Sequence, residues 1–485
     1  MTPDSPAPGI LAAVPHLRPV SWLRWWADQD PSHPALVDQA GAVISYAALD
    51  AMVSGRAGDL LDAGVGSGAR VAVVAERTVD TVVSLWALWS VGAVAVVVDP
   101  ATPTGSLPPA WDLTAVSRAG VVVPLTPHAG LGDSLPSPVD GDPLGRHHTW
   151  VPTSGSSGPP RAVVLTAGNV AAAVHASQLR LGNGQDDRWL LVLPLFHVGG
   201  LSVLWRSVAA GGTVVIHRRF EIDRVAAALA DGSTTVVSLV PTMLHRLLQA
   251  GVRPSPALRT VLVGGAAAGP DLVERALDAG YPVLTSYGAT EACSQIATVA
   301  PGRQHSSIGT VGTSLEGMDV EIVAADGTPV GPGEIGEILV SGPAVSPGYA
   351  GDPPRSGPHH TGDLGRRQGD ALVVVGRADD LIISGGENIV PQTVEDVLVG
   401  HPEIDLCVVH GEPDAEWGEV VSAVVQPLPG VIPSSDDLDD FARRHLPPAQ
   451  RPRRWRIVAA LPLLPTGKVD RSETIPPFNS TRGDA

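Results

Sequence analysis

The sequence predicts an α/β protein over its first two thirds, followed by a β-rich segment and a compact α+β unit at the C-terminal end. Three observations carry this reading. Contiguous β-branched runs alternate with helical periodicities through the first two thirds, the pattern of parallel strands covered on both faces. From about Ser307 the runs become short and alternating (DVEIV, GEILV, ALVVV) and are punctuated by glycine and proline, which predicts antiparallel strands and hairpins. After Gly376 there follows about a hundred residues of mixed helix and strand character, enough for a domain of its own.

Taken in order, the stretch Met1–Pro19 lacks the basic start and apolar stretch of a signal peptide, so export is not expected. The longest apolar run, Val82–Val98, nears the lower limit for a membrane span. Gly92 divides it into a helix-like half and a β-branched half ending at Asp99-Pro100, which predicts a buried helix and then a buried strand. Further strands are expected at Val71–Ala75, Gly120–Pro124, Leu190–Leu193, Thr213–Ile216, Thr235–Val240 and Thr260–Val263. Glu221–Ala230 and Pro270–Leu277 begin on an acid or a proline and continue in an Ala/Leu stripe, so both are expected to be helices. Residues 101–146, rich in Pro, Gly, Ser and Asp, read as surface loops with one strand inside. In the last unit, helices are expected at Pro391–Leu398 and Ser435–His445, with strands at Asp405–His410 and Val420–Gln426 between them. The boundary is placed near Arg377–Asp380, and no internal repeat is present.

The 485 residues contain 50 Asp+Glu against 32 Lys+Arg, a formal net charge of −18. That balance argues against nucleic-acid and anionic-membrane partners, which require clustered positive charge. Two cysteines, Cys293 and Cys407, supply neither a disulfide framework nor a metal cluster and fit a reducing, cytoplasmic setting. All basic residues are arginines except one, Lys468. A solitary lysine in such a chain either survives by chance or holds a position that arginine cannot fill.

Five segments carry chemistry. Thr153-Ser154-Gly155-Ser156-Ser157-Gly158 lies between two expected strands, and its hydroxyls and unobstructed backbone N–H groups can converge on phosphate oxygens. The glycine spacing is not that of a kinase-type P-loop, and composition alone would also allow a flexible turn. Leu193–Leu201 delivers His197 into an apolar, glycine-rich turn, where it could be a catalyst or a packed core residue. Ser286-Tyr287-Gly288-Ala289-Thr290-Glu291 follows the expected strand Pro282–Thr285. It could stack a purine and hold Mg²⁺ through Thr290 and Glu291, or be a strand-end turn with a solvated glutamate. Thr361-Gly362-Asp363 with Arg377 could accept and bond ribose hydroxyls, although Asp363 alone is a common turn residue. Pro465-Thr466-Gly467-Lys468 presents the lone lysine on a turn, as a compact cation able to follow charge on a carboxylate and a phosphate as they join.

Together, in this order and spacing, the segments resemble the adenylate-forming acyl-CoA synthetase superfamily. The resemblance runs from about Pro34 to Arg471 and includes Pro34–Asp38 with Ser45-Tyr46, Gly264-Gly265-Ala266, Gly333–Gly342 and Ser384–Asn388. Within it, Leu195–Ser202 running on to Trp205, Ser238–Thr242 and Ser286–Gln295 look most like the o-succinylbenzoate-CoA ligases of menaquinone biosynthesis.

The resemblance implies a large N-terminal adenylation domain (1–378) of two α/β subdomains plus a β-rich subdomain, and a small mobile α+β domain (379–485) carrying the catalytic lysine. It implies two steps, acyl-adenylate formation from ATP with Mg²⁺ and then thioester formation with coenzyme A. It assigns Thr153–Gly158 to the β- and γ-phosphates, and Gly264–Ala266 with Ser286, Tyr287 and Gly288 to the adenine. Thr290 and Glu291 serve phosphate and metal, Asp363 and Arg377 the ribose, and Lys468 the carboxylate and α-phosphate. Apart from the resemblance, His197, Ser202 and Gln295 are candidates for contact with a keto group or second carboxylate of the acid, His197 is also a catalytic candidate, and Arg219 is a remote candidate for charge pairing. Asp379 matches the hinge, and Gly385-Gly386 the loop that approaches the CoA arm after rotation. Ser157 and Arg161 stand where threonine and lysine are common in the loop, and Val151-Pro152 where an aromatic residue often precedes it. The expected partners are small molecules, with no membrane insertion and with a homodimer left open.

The sequence leaves three other readings. Aryl- or fatty-acyl-CoA ligases differ only in the acid. An amino-acid adenylation domain is disfavoured, because Phe196-His197 offers no acidic residue for an amino group and no carrier domain follows Arg471. A catalytically dead scaffold would be expected to have lost Lys468, Glu291 or Asp363.

Overall fold

The structure is a computed structural model and describes residues 19–103, 107–108, 111, 113–118, 121–124, 144–153 and 161–475. Most of Met1–Pro19, most of 101–146 and all of Ser154–Pro160 lie outside the described residues.

Two sheets built round parallel strands form the first two thirds. A nine-stranded sheet runs in the spatial order 313–314, 294–298, 283–289, 260–263, 236–239, 188–191, 213–216, 34–37, 43–45. Its middle strands are parallel and its edges antiparallel. A seven-stranded sheet has the order 348–349, 161–166, 147–153, 94–98, 70–74, 115–118, 121–124. The helices Val79–Ser90, Ala167–Leu181 and Val198–Ala210 share one apolar core with both sheets. Ile222–Ala230, Pro241–Gln249 and Pro270–Asp278 pack on the outer face of the nine-stranded sheet. The parallel strands read as unbroken valine and leucine runs because both of their faces are dry.

Val79–Ser90 is a helix buried along most of its length and Val94–Val98 the strand that follows it, as the split at Gly92 predicts. Among the described residues no helix is long and apolar enough to cross a membrane. Within 101–146 the strand Val121–Pro124 has a partner that the sequence reading missed, Ala115–Arg118, which joins the sheet beside Arg70–Val74. Its sequence, AVSR, is too short and too polar to show a period.

The β-rich segment is a four-stranded antiparallel sheet of Asp319–Val323, Gly336–Ser341, His359–Gln368 and Ala371–Arg377. After it, a five-stranded sheet (387–389, 382–384, 418–427, 404–414, with 454–457 on 418–427) is covered by the helices Pro391–Leu398 and Ser435–His445.

Candidate active site

The carboxyl ends of parallel strands are where an open α/β sheet leaves a crevice for ligands, and four such ends meet here. Asp99 follows Val94–Val98, His197 follows Arg188–Leu191, Gly264-Gly265 follow Thr260–Val263, and Ser286-Tyr287 lie at the end of the parallel pairing of Val283–Ala289. The last point corrects the sequence reading. The strand does not stop at Thr285 but continues antiparallel to Ser294–Thr298, so Ser286–Ala289 are strand residues and Thr290-Glu291-Ala292 form one 3₁₀ turn. Gly288 is required there, because a Cβ would come within 1.6 Å of the Ser294 carbonyl oxygen. The turn closes through Cys293 and Ser294, the two non-glycine residues with positive φ (53° and 99°) among those described. Such backbone costs of order 1–3 kcal/mol per residue, and its concentration beside Glu291 marks a segment whose shape the fold enforces.

The ribose candidates also sit in strands rather than turns. Asp363 and Arg377 are cross-strand partners, so the register of the hairpin brings them together. Asp363 Oδ1 accepts from Arg377 at 3.2 Å and Oδ2 accepts from the Tyr287 hydroxyl at 2.6 Å. Burial raises the carboxyl pKa of Asp363, against the opposing pull of Tyr287 and Arg377. A carboxylate has room for about four hydrogen bonds, so two acceptor positions remain. Arg377 also clasps Asp379 through two bonds at 3.1 and 3.2 Å.

Glu291 Oε1 accepts from the Tyr349 hydroxyl at 2.8 Å, and the Glu291 carbonyl accepts from the Ser346 N–H at 2.7 Å. The Tyr349 ring carries the Arg161 guanidinium at 3.6 Å, and Arg161 is paired with Asp352. The far end of the serine/glycine loop and Glu291 are thus joined through one tyrosine, whose own pKa is pushed up to about 12 by burial and by Glu291. Thr153 and Arg161 face each other where the loop leaves the hairpin. Ser154, Gly155, Ser156, Ser157 and Gly158 lie outside the described residues.

Lys468 lies over Gly265, with Nζ 3.4 Å from the point where a side-chain carbon would start. Its turn is closed by the Leu464 N–H donating to the Lys468 carbonyl and tied down by Thr242 Oγ1 donating to the Gly467 carbonyl. Burial lowers the Lys468 pKa and the Asp363 carboxylate opposes this. His197 caps the helix Val198–Ala210 without a side-chain cap bond. Burial, with Lys468 adding to it, pushes its pKa down to about 4, so the ring is neutral at pH 7. Gly385-Gly386 form the two-residue turn between Ile382–Ser384 and Glu387–Ile389, both with positive φ as such a hairpin needs. Gly385 lies against Trp417, in the turn between the strands 404–414 and 418–427, and Gly386 faces open space; no contact among the described residues brings either to Lys468. Ala266 is exposed beside Gly265.

Of the acyl-pocket candidates, Ser202 and Gln295 are buried. The Ser202 hydroxyl donates to the Gly199 carbonyl at 2.9 Å, and Gln295 Nε2 donates to Thr298 at 2.8 Å while its Oε1 is buried without a partner. Arg219 is exposed, ion-paired with Glu221 at 2.5 Å. It lines, with Arg77 and Arg246, a cavity of about 210 Å³ beside the lysine turn.

The residue that sequence reasoning missed is Arg206. It is 3 % exposed, stands one helical turn after Ser202, and its Nε and one Nη have no hydrogen-bond partner. Burial lowers its pKa to about 10, still a cation at pH 7, and it acts electrostatically on Cys293. Its signal was present in the sequence as a single charge inside the otherwise apolar run VGGLSVLWRSVAA.

Comparison with known proteins accords with this geometry. Residues 23–130 and 133–350 match the AMP-binding enzyme family, and residues 393–468 match the AMP-binding enzyme C-terminal domain. The chain belongs to the AMP-binding enzyme family. It is 36 % identical over 332 residues to 2-succinylbenzoate–CoA ligase of Bacillus subtilis, covering 67 % of this chain and 68 % of that protein. It is 34 % identical over 483 residues to feruloyl-CoA synthase of an Amycolatopsis species, covering 93 % and 97 %. Among solved structures it resembles o-succinylbenzoate CoA synthetase of B. subtilis in complex with the acyl-adenylate intermediate OSB-AMP, with a TM-score of 0.80, 30 % identity and coverage of 93 % and 96 %. It also resembles the same protein in complex with ATP and magnesium ion, with a TM-score of 0.78 at 30 % identity and coverage of 93 % and 98 %.

Proposed function

We propose that this chain is an ATP-dependent carboxylate–CoA ligase whose acid is 2-succinylbenzoate, giving 2-succinylbenzoyl-CoA for menaquinone biosynthesis. The observation that carries the choice of acid is Arg206. A buried guanidinium with unused donors is costly unless a ligand completes it, and 2-succinylbenzoate has a second carboxylate to do so. Ferulate, the acid of the other relative, has one carboxylate and would leave the arginine unpaired.

In the first half-reaction a carboxylate oxygen of the acid attacks the ATP α-phosphorus, the bond to the β-phosphate oxygen breaks, and pyrophosphate leaves. Lys468 lies where its ammonium can accompany the charge shared by carboxylate and α-phosphate. Asp363, already oriented by Tyr287 and Arg377, has the acceptor capacity for the ribose hydroxyls. Gly264, Gly265, Ser286 and Tyr287 line the adenine side. Glu291 is suited to Mg²⁺, because Tyr349 fixes one carboxylate oxygen and leaves the other as a ligand, with Thr290 beside it. When bound, the ion supplies neutralisation of the phosphate charge. The neutral His197 ring screens the acyl side from water.

In the second half-reaction the CoA sulfur attacks the acyl carbon and AMP leaves. Asp379 is the proposed hinge between domains 1–378 and 379–485, about which Lys468 withdraws and Gly385-Gly386 approach. The two buried free cysteines fit a reducing, cytoplasmic setting.

Pyrophosphate release measured over a panel of carboxylic acids, with and without CoA, tests the proposal. Release confined to 2-succinylbenzoate, with a CoA-dependent thioester product, is expected. Equal or better release with ferulate or fatty acids would overturn the choice of acid.

A further inference from the structure

One face of the helix Pro241–Gln249 holds the small domain. Thr242, His245 and Gln249 are spaced i, i+3 and i+7 and so project along one side. Thr242 bonds the Gly467 carbonyl next to the lysine. His245 Nε2 lies 2.6 Å from Asp405 Oδ1, and Gln249 Nε2 donates to the same oxygen at 2.6 Å. Asp405 lies at the start of the strand Ile404–Asp414 in the C-terminal sheet, and its Oδ2 accepts from Gln426 of the neighbouring strand at 2.7 Å. The side chains of His245 and Asp405 are only 15 % and 10 % exposed. One carboxylate of the small domain is therefore held by three N–H donors, two of which belong to the large domain.

We propose that His245 and Gln249 with Asp405 form a docking latch, which makes them positioning residues for the adenylation step. A rigid rotation of the small domain that withdraws Lys468 from Gly265 cannot keep contacts of 2.6 Å to a helix of the large domain, so the latch opens whenever the second step begins. Asp405 then keeps Gln426 and gains water, so the latch biases the orientation without locking it. The donors are short and partly dry, and an ionised acceptor strengthens such bonds. Loss of one of them shifts the domain equilibrium about tenfold, which corresponds to about 1.4 kcal/mol.

The inference rests on the two-step reading above, and the test separates the two. On the full chain, pyrophosphate release from ATP and acid and thioester formation from CoA and supplied acyl-adenylate are measured separately. His245→Ala, which loses one interdomain bond, is expected to slow the first about tenfold, and Asp405→Ala, which loses both, about a hundredfold, while each leaves the second unchanged or faster. His245→Gln, which keeps an N–H donor, should recover most of the loss of His245→Ala, and the double alanine variant should be no worse than Asp405→Ala alone. Limited proteolysis after Arg377 in the ATP-bound protein, which needs no turnover, should be faster in both alanine variants. Equal losses in the two half-reactions, an undiminished first half-reaction, or unchanged proteolysis would overturn the latch. The wild-type chain in the same assay reports on the ligase reading independently.

Discussion

Replacing Arg206 by methionine should make the protein more stable and the enzyme worse. Two of its donors are buried without partners, and each unsatisfied buried donor costs about 1–3 kcal/mol. The Trp189 ring, 5.8 Å from the guanidinium carbon and itself buried, returns about 2 kcal/mol. Methionine fills the volume of the arginine stem with a flexible apolar chain. The balance predicts that Arg206→Met raises the unfolding free energy by up to about 4 kcal/mol. The same change removes the counter-charge for a second carboxylate, which in a buried pair is worth about 2–5 kcal/mol. That corresponds to a fall of about 30-fold to several thousand-fold in kcat/KM for 2-succinylbenzoate. Urea unfolding without substrate reads the first effect, and pyrophosphate release with 2-succinylbenzoate and with a monocarboxylate such as ferulate reads the second. A variant that is less stable than wild type, or one that loses activity equally on both acids, would refute the assignment.

Three further outcomes are expected. Lys468→Ala should lower pyrophosphate release by about 10²–10³ while thioester formation from supplied acyl-adenylate persists. Lys468→Arg should fare little better, because Gly265 leaves a compact ammonium little room to become a planar fork; near-normal release by either variant would remove Lys468 from the first step. Asp379→Pro should spare pyrophosphate release but block thioester yield, since proline fixes φ at the proposed hinge, and an unchanged yield would refute that hinge. His148, stacked 4.5 Å from Trp89, is held neutral by burial with its pKa near 3. Between about pH 6.5 and 3 the unfolded chain therefore binds a proton that the native chain refuses. Stability should fall as pH drops through that window, by about 1.4 kcal/mol per pH unit from this group. His148→Phe should flatten the slope in urea unfolding between pH 7.5 and 5, and an identical slope would rule the histidine out as its source.

The sequence by itself determined the order of elements and the chemistry-bearing segments, because parallel strands dry on both faces must be unbroken apolar runs. It also singled out Lys468, by composition alone. It could not place Asp363 and Arg377 as cross-strand partners, since fourteen positions separate them and only the register of the hairpin makes them neighbours. It ended the strand at Thr285, because the antiparallel partner Ser294–Thr298 that extends it follows a strained turn with no glycine to announce it. The sequence reading singled out Arg219 as a remote charge partner and passed over Arg206. Their difference is burial: one is ion-paired at the surface, while the other is enclosed by the helix and sheet layers with donors unspent. Tertiary structure alone decides which charges lose water, and that loss makes one arginine a candidate to choose the substrate and one carboxylate, Asp405, a candidate to hold two domains together.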